Sequence, residues 1–431
     1  MVAGLIFFNA VLSVVLGIAA FKRMKTQAAL LWYVMHAIYF CLMPAMDYFF
    51  GFSAYGRLFD ESVVSTYLYS GCFFLLIAHF VSIYSLNVRL VGLRSYVFKK
   101  IDSFQSTTRS RSTAILFFSL AIYFIAVAKN NDFIYFLNSG VNKFELMMSL
   151  KDGKYFLNFL SGGMLYVLLI VVSVYGKTKS SFSWLIVVMV FSYFFLAQPG
   201  TRTWALSLAL SFFFLAKYPS IYIFGKTSIL VLIVGFLSVI GLNVLNLVRL
   251  GQDVEVTGLI AKSFLSLYSN FLQYENALIL ISSFNDTGEW LKFRFLIASL
   301  SPFVVVPNIL LPFDKPRADK EAFITESLFS SDLDLNFYSE GSTLTYTVPI
   351  SGYADFGLFG VAVAALIYGL IISFFYYGMK YGRVSRLLAL YGLVSFSAGY
   401  RLGVEGLMLL MYVFFIVLAV SFVFFKSRIR S

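Results

Sequence analysis

Apolar residues run along this chain in long blocks, and the polar residues between them come in short clusters. Blocks at 2–21, 27–50, 63–85, 113–129, 156–176, 182–197, 204–217, 227–248, 348–379, 385–400 and 404–425 predict eleven helical spans. An α-helix needs roughly 20 apolar residues to cross a hydrocarbon core of about 30 Å. Ten-residue segments of alternating polarity, the mark of an outer-membrane barrel, do not occur. The pattern predicts an all-α polytopic integral membrane protein of about 11 transmembrane helices. It divides the chain into N-terminal helices at 1–248, one large polar-rich loop at 249–347 and C-terminal helices at 348–431, all within one membrane domain. Composition strengthens this. The 431 residues are 60% hydrophobic and 13% charged, with a mean hydropathy of +0.84. A soluble core does not use that much apolar surface.

Charge gives the blocks a direction. Alternate gaps, at 22–26, 86–112, 177–181, 217–226, 380–386 and 426–431, hold 19 Lys and Arg and a single acid, Asp102. The other 14 cations and 20 acids fall in the opposite gaps or near their edges. The positive-inside rule then sets the N-terminus outside and the C-terminus inside. The net charge of +12 comes almost wholly from the inner side. That is expected of loops beside anionic lipid, and nucleic acid is not needed to explain it. The first block is not a cleaved signal, because Lys22, Arg23 and Lys25 follow it rather than precede it. Cys41 and Cys72 lie in apolar blocks, and no disulfide framework or metal-ligand spacing is present.

Three outward segments carry the polar chemistry: 130–155, the turn 198–203 and the loop 249–347. Within the loop, LIAKSFLSLYSNFLQYENALILI (259–281) repeats apolar residues at i, i+3 and i+4. That spacing predicts a helix lying on the membrane or on the bundle. FLIASLSPFVVVPNILLPF (295–313), broken by Pro302, Pro307 and Pro312, reads as re-entrant or interfacial. In the turn LAQPGTRTW, Arg202 opens a short helix that runs inward. A cation is disfavoured at a helix N-terminus unless an anion joins it there, and guanidinium pairs well with phosphate oxygens. Lipid headgroup phosphates, or the carbonyls ending the preceding helix, are the competing partners. Arg249 and Arg401 follow helices that run outward, where a cation is favoured. Arg401 lies in SAGYRLGVEG, with Glu405 four residues on. Arg294 and Arg317 are candidate sugar or pyrophosphate contacts in the large loop.

The two histidines, His36 and His79, fall inside spans and are expected to be interhelical packing residues. With no histidine outside, a carboxylate is the expected proton acceptor for any chemistry there. Glu340 and Asp355 flank YSEGSTLTYTVPISGYADFGLFG (338–360), whose Tyr346 and Tyr353 add hydroxyls and sugar-stacking rings. Asp355 within an apolar block is a functional candidate by default, with a helix-start role as the competing reading. The largest inner gap spans only 86–112, so no ATP-consuming or nucleotide-sugar-consuming domain is expected inside.

The GTRT turn before an apolar helix, the single large outer loop and the G-Y-A-D-F-G-L-F-G re-entry (352–360) resemble the Wzy oligosaccharide repeat-unit polymerases of bacterial surface-polysaccharide assembly. The resemblance implies a GT-C-like bundle in the bacterial inner membrane, with its active site facing the periplasm. It implies undecaprenyl-pyrophosphate-linked oligosaccharides as substrates and no cofactor. The growing chain would move onto the next lipid-linked unit. Arg202, helped by Arg249 or Arg401, would neutralise the leaving pyrophosphate, and Glu340 or Asp355 would orient or deprotonate the attacking hydroxyl. A flippase and a chain-length regulator are the expected partners. The rival readings are a lipid-linked oligosaccharide flippase and an O-antigen ligase; the large loop lacks the histidine expected of a ligase.

Overall fold

The computed structural model describes residues 1–51, 59–86, 91–103, 273–287 and 346–402, with isolated positions among 210–222 and at 411 and 415. The predicted spans at 113–129, 156–176, 182–197 and 227–248, nearly all of 204–217 and 404–425, and the segment 295–313 lie outside the described residues. Every element among the described residues is helical. They are α1 (Val2–Met24), α2 (Gln27–Phe50), α3 (Glu61–Tyr84), α4 (Val91–Ser103), α5 (Gln273–Thr287), α6 (Val348–Gly378) and α7 (Arg383–Ala398), the last running into a 3-10 turn, Gly399–Leu402. Helices α1, α2, α3 and α6 are long and apolar enough to cross a membrane.

Local chemistry sets the ends. Lys22 and Arg23 occupy the last turn of α1, where the helix dipole favours cations. Lys25 then turns left-handed (φ 51) and returns its N–H to the Phe21 carbonyl at 2.7 Å. The Thr26 hydroxyl accepts from the Ala28 N–H at the start of α2. Helix α2 is not uniform. It opens with a 3-10 turn, Gln27–Leu30, and widens into a π segment at Ile38–Leu42.

Cross-helix contacts give the directions. Asn9 of α1 meets Leu68 of α3, while Tyr33 touches both Gly17 and His79, so α1 and α3 run parallel. Gly369 of α6 lies against Ala78 and Val81, and the hydroxyls of Ser373 and Ser85 are 2.5 Å apart, so the second part of α6 also runs with α3. Helix α7 returns antiparallel, with Gly378 against Ala389 and Gly392 against Phe375. The basic gaps 22–26, 86–112 and 380–386 therefore meet at one end of the bundle, called here the basic end.

Asp102, the lone acid of those gaps, works as a helix cap. Its two carboxylate oxygens accept from the N–H groups of Gly382 (2.6 Å) and Ser385 (3.2 Å), at the N-terminus of α7. Ser385 donates its hydroxyl to the Phe98 carbonyl at 2.9 Å, which ties α4 to α7. Arg386 donates to the carbonyls of Met379 and Tyr381, which close the end of α6, and its guanidinium lies 4.3 Å from the Tyr218 ring centroid. The gap 86–112 thus contains a helix packed on α6 and α7 where the hydropathy pattern shows only a loop. Helix α4 buries Val97, Phe98 and Ile101 and exposes Tyr96 and Lys99.

The predicted single span at 348–379 is two helices. Phe356 (φ −155°, ψ 37°) and Gly357 (φ 58°, ψ −141°) break α6. Gly352 then lies against the Gly360 carbonyl and Ala364, and Gly360 against the Gly352 carbonyl. In a straight helix, residues eight apart are about 12 Å apart along the axis. The arm 348–355 therefore folds back along the arm 358–378 as a re-entrant helix. Only Gly tolerates the left-handed turn at 357 cheaply, and only residues without Cβ allow the close approach at 352 and 360. Burial agrees with the fold-back. Residues 346–355 are all buried, whereas Leu358 and Phe359, just past the turn, are exposed to 50% and 64%.

Candidate functional site

The turn at 356–357 marks the level of the site. Counting a dozen residues back from Gly369 along parallel helices sets it beside about Leu68 of α3. Asp355, one residue before the turn, is 5% exposed. As the last residue of the short arm, Asp355 stands at the end of a helix that disfavours an anion. Tyr353 and Tyr346 are also buried, on the same arm and just ahead of it.

Helix α5 of the large loop reaches the same level. Tyr274 packs its ring edge-on against Tyr67 of α3 (5.2 Å, 71°) and donates its hydroxyl to Asp47 Oδ2 at 3.1 Å. Tyr67 in turn donates to the Tyr39 carbonyl at 3.0 Å and stacks on Phe40, both in the π segment of α2. Residues 274–281 of α5 are buried, including Glu275 at 1% and Asn276 at 5%. The described end of the predicted amphipathic helix, 273–281, thus packs on the bundle, one of the two expected placements; 259–272 lie outside the described residues. Glu275 and Asp47 are close enough to interact electrostatically.

Deeper in, polar side chains are wired between helices. Asn9 Nδ2 donates to the carbonyls of Leu5 and Leu68, both at 3.1 Å. Its Oδ1 is then an acceptor, so His36 Nε2 carries the hydrogen (3.4 Å) and Nδ1 accepts from the Tyr400 hydroxyl at 2.8 Å. His79 Nδ1 shares a 2.6 Å hydrogen bond with the Tyr33 hydroxyl. Trp32 Nε1 donates to the Tyr376 hydroxyl at 3.2 Å, and that hydroxyl donates to the Ala29 carbonyl. Both histidines are interhelical packing residues, as expected.

Arg401 follows α7 in the 3-10 turn Gly399–Leu402. Tyr400, just before it, is fully buried against Phe74 and Tyr368 at ring distances of 5.8 and 5.7 Å. Of the sequence-derived candidates, Tyr346, Tyr353 and Asp355 come together on or beside the re-entrant arm, and Arg401 follows buried Tyr400 in the 3-10 turn. Arg202, Arg249, Arg294, Arg317 and Glu340 lie outside the described residues.

Asp47, Tyr274, Glu275 and Asn276 were not singled out from sequence. The available signal was a carboxylate near the end of an apolar span and a Y-E-N triplet opening the run ALILI. Among the described residues, no cluster of three or more His, Cys, Asp or Glu could hold a metal ion. No family model, no curated protein and no solved structure matches this chain.

Proposed function

We propose that this chain is a membrane glycosyltransferase that polymerises undecaprenyl-pyrophosphate-linked oligosaccharide repeat units on the periplasmic face of a bacterial inner membrane. In this reading it has about eleven spans in a GT-C-like arrangement. The observation that carries the reading is the broken helix α6, which holds the buried carboxylate Asp355 beside a sharp turn inside an apolar bundle, at the end away from the basic loops. An ionisable group held so expensively is a functional group by default. Helix α5 supports the reading, because it brings part of the large loop, the sugar-holding element in this reading, to the same level.

The chemistry needs a base and a clamp for the leaving group. Asp355 or Glu340 orients or deprotonates the attacking sugar hydroxyl. Arg202, with Arg249 or Arg401, stabilises the charge on the departing undecaprenyl pyrophosphate, as fixed cations do at developing anions. Tyr346, Tyr353, Arg294 and Arg317 contact sugar. The leaving group is already activated, so nucleotide is not consumed.

One observation favours a second reading. A helix interrupted within the bundle is also how carriers build substrate sites, so a lipid-linked oligosaccharide flippase keeps a claim. Reconstitution separates the two. Proteoliposomes holding the purified chain and a lipid-linked repeat unit should yield longer glycans and free undecaprenyl pyrophosphate without nucleotide, and Asp355→Asn should slow this by a hundredfold or more. Movement of the lipid-linked unit between leaflets with no chain growth would replace the polymerase by the carrier.

A further inference from the structure

The re-entrant arm presents a helix N-terminus to the interior of the bundle. Its first residues are buried: Thr347, Val348 and Ile350 are all at 0% exposure. A helix N-terminus leaves its first N–H groups without acceptors inside the helix. Pro349 has no N–H, and the first helix bond of the arm runs from Ser351 N–H to the Thr347 carbonyl at 2.9 Å. Val348 and Ile350 thus supply the N–H groups of the first turn that precede that bond. Two features that commonly satisfy such an end are missing. The Thr347 side chain makes no capping hydrogen bond, and no acid stands in the first turn.

Thr347 supplies the second observation. Its hydroxyl is fully buried and has no hydrogen-bond partner among the described residues. As the N-cap residue, it holds that hydroxyl at the open end of the helix by covalent position. A buried hydroxyl without a partner is costly. It persists at low cost only when something else supplies an acceptor. An unpartnered O–H donor at the positive end of a helix dipole asks for a ligand made of acceptor oxygens with negative charge.

A third feature shares the level. Gly352 lies against Gly360 and Ala364, so Thr347 and Val348, about a turn further along the arm, stand roughly beside residues 366–368. Tyr400 packs on Tyr368 there, and Arg401 follows it in the chain.

We propose that the N-terminus of the 348–355 arm, with the Thr347 hydroxyl, seats a phosphate-type anion inside the bundle. The site stands on this geometry. Its identification with the pyrophosphate of a lipid-linked sugar deepens the reading above and rests on it. Discontinuous helices in membrane proteins hold anionic groups in this manner.

The test uses the full-length protein in nanodiscs, with inorganic pyrophosphate and a polyprenyl pyrophosphate as separate probes and acetate as the control anion. Binding is read by calorimetry and by the probe-induced rise in Tm. Wild type should bind at least one pyrophosphate probe, and Thr347→Val should weaken that binding about tenfold or more, while Thr347→Ser keeps it. Thr347→Asp places a carboxylate where the anion sits, and Asp is a good N-cap. This variant should fold, with a Tm at or above that of the unliganded wild type, and lose the probe-induced shift. It therefore decides the matter even if the valine variant folds poorly. Thr347-dependent binding of the polyprenyl probe alone identifies a lipid-linked ligand, and binding of both identifies the pyrophosphate group itself. Binding of neither probe, or equal binding by wild type and Thr347→Asp, overturns the site. These outcomes do not depend on polymer formation, so the anion site and the polymerase reading can fail separately.

Discussion

The fold-back of α6 makes a sharp prediction at Gly360. In the structure a Cβ on residue 360 runs into the Gly352 carbonyl oxygen, and a Cβ on residue 352 comes within 2.8 Å of Ala364 Cβ as well as meeting the Gly360 carbonyl. These are backbone and near-backbone atoms that no rotamer change removes. An ordinary contact needs about 3.5–4 Å, so the two arms must separate by about 1 Å or more. Overpacking of this kind costs about 1–3 kcal/mol, and the rigid neighbours put Gly360→Ala at the upper end. A helix interior gains up to about 1 kcal/mol from Gly→Ala through propensity, so the net loss is about 1–2 kcal/mol, a fall in Tm of a few degrees for a protein of this size. Gly4→Ala is the control, because nothing lies within 4 Å of its Cβ; it should be neutral or slightly stabilising. Thermal unfolding of the purified protein, with all variants in the same detergent, reads the difference. A Gly360→Ala protein as stable as Gly4→Ala would mean that 348–378 runs straight, and the re-entrant arm would be wrong. A Gly352→Cys, Gly360→Cys double variant gives an independent check. It should cross-link with a short reagent if the arms touch, and not if the residues stand a helical 12 Å apart.

Further outcomes follow from the same contacts. Asp102→Ala removes both acceptors at the start of α7 and should cost about 2 kcal/mol in the same unfolding assay, with Asp102→Asn milder. Asn9→Leu removes the acceptor for His36 and two carbonyl contacts; interhelical hydrogen bonds in membranes average about 0.6 kcal/mol, so a loss of about 1 kcal/mol is expected, and an unchanged Tm would deny the network a stabilising role. Tyr274→Phe deletes the bond to Asp47 and should speed protease cutting of the outer loop with little change in bundle stability. Arg202→Ala should abolish long polysaccharide chains while the protein remains in the membrane; wild-type chain lengths would remove it from the chemistry.

The spans were readable where apolar length alone decides. Blocks at 2–21, 27–50, 63–85 and 385–400 match helices at Val2–Met24, Gln27–Phe50, Glu61–Tyr84 and Arg383–Ala398 to within a few residues. Direction was not readable from hydropathy. The apolar run from Val348 to Gly378 is continuous, so one straight span and a folded-back pair look alike; the glycines at 352, 357 and 360 carried the difference. Amphipathic α4 hid in a gap because Val97, Phe98 and Ile101 are too few to register as a block. Asp355, Tyr346 and Tyr353 were found because a polar group in an apolar run is conspicuous. Asp47 and Glu275 were not, because their significance comes from Tyr274 bridging segments 227 residues apart. Thr347 was hidden for the same reason, since only the fold-back turns an ordinary N-cap position into a buried helix end.

The central claim is polymerisation, and the most direct test is to delete the gene in its host and run the surface polysaccharide on a gel. The account predicts that the ladder collapses to a band carrying a single repeat unit, with export and attachment intact, and that the wild-type gene restores the ladder. A surface with no repeat unit at all, or an unchanged ladder, would contradict it.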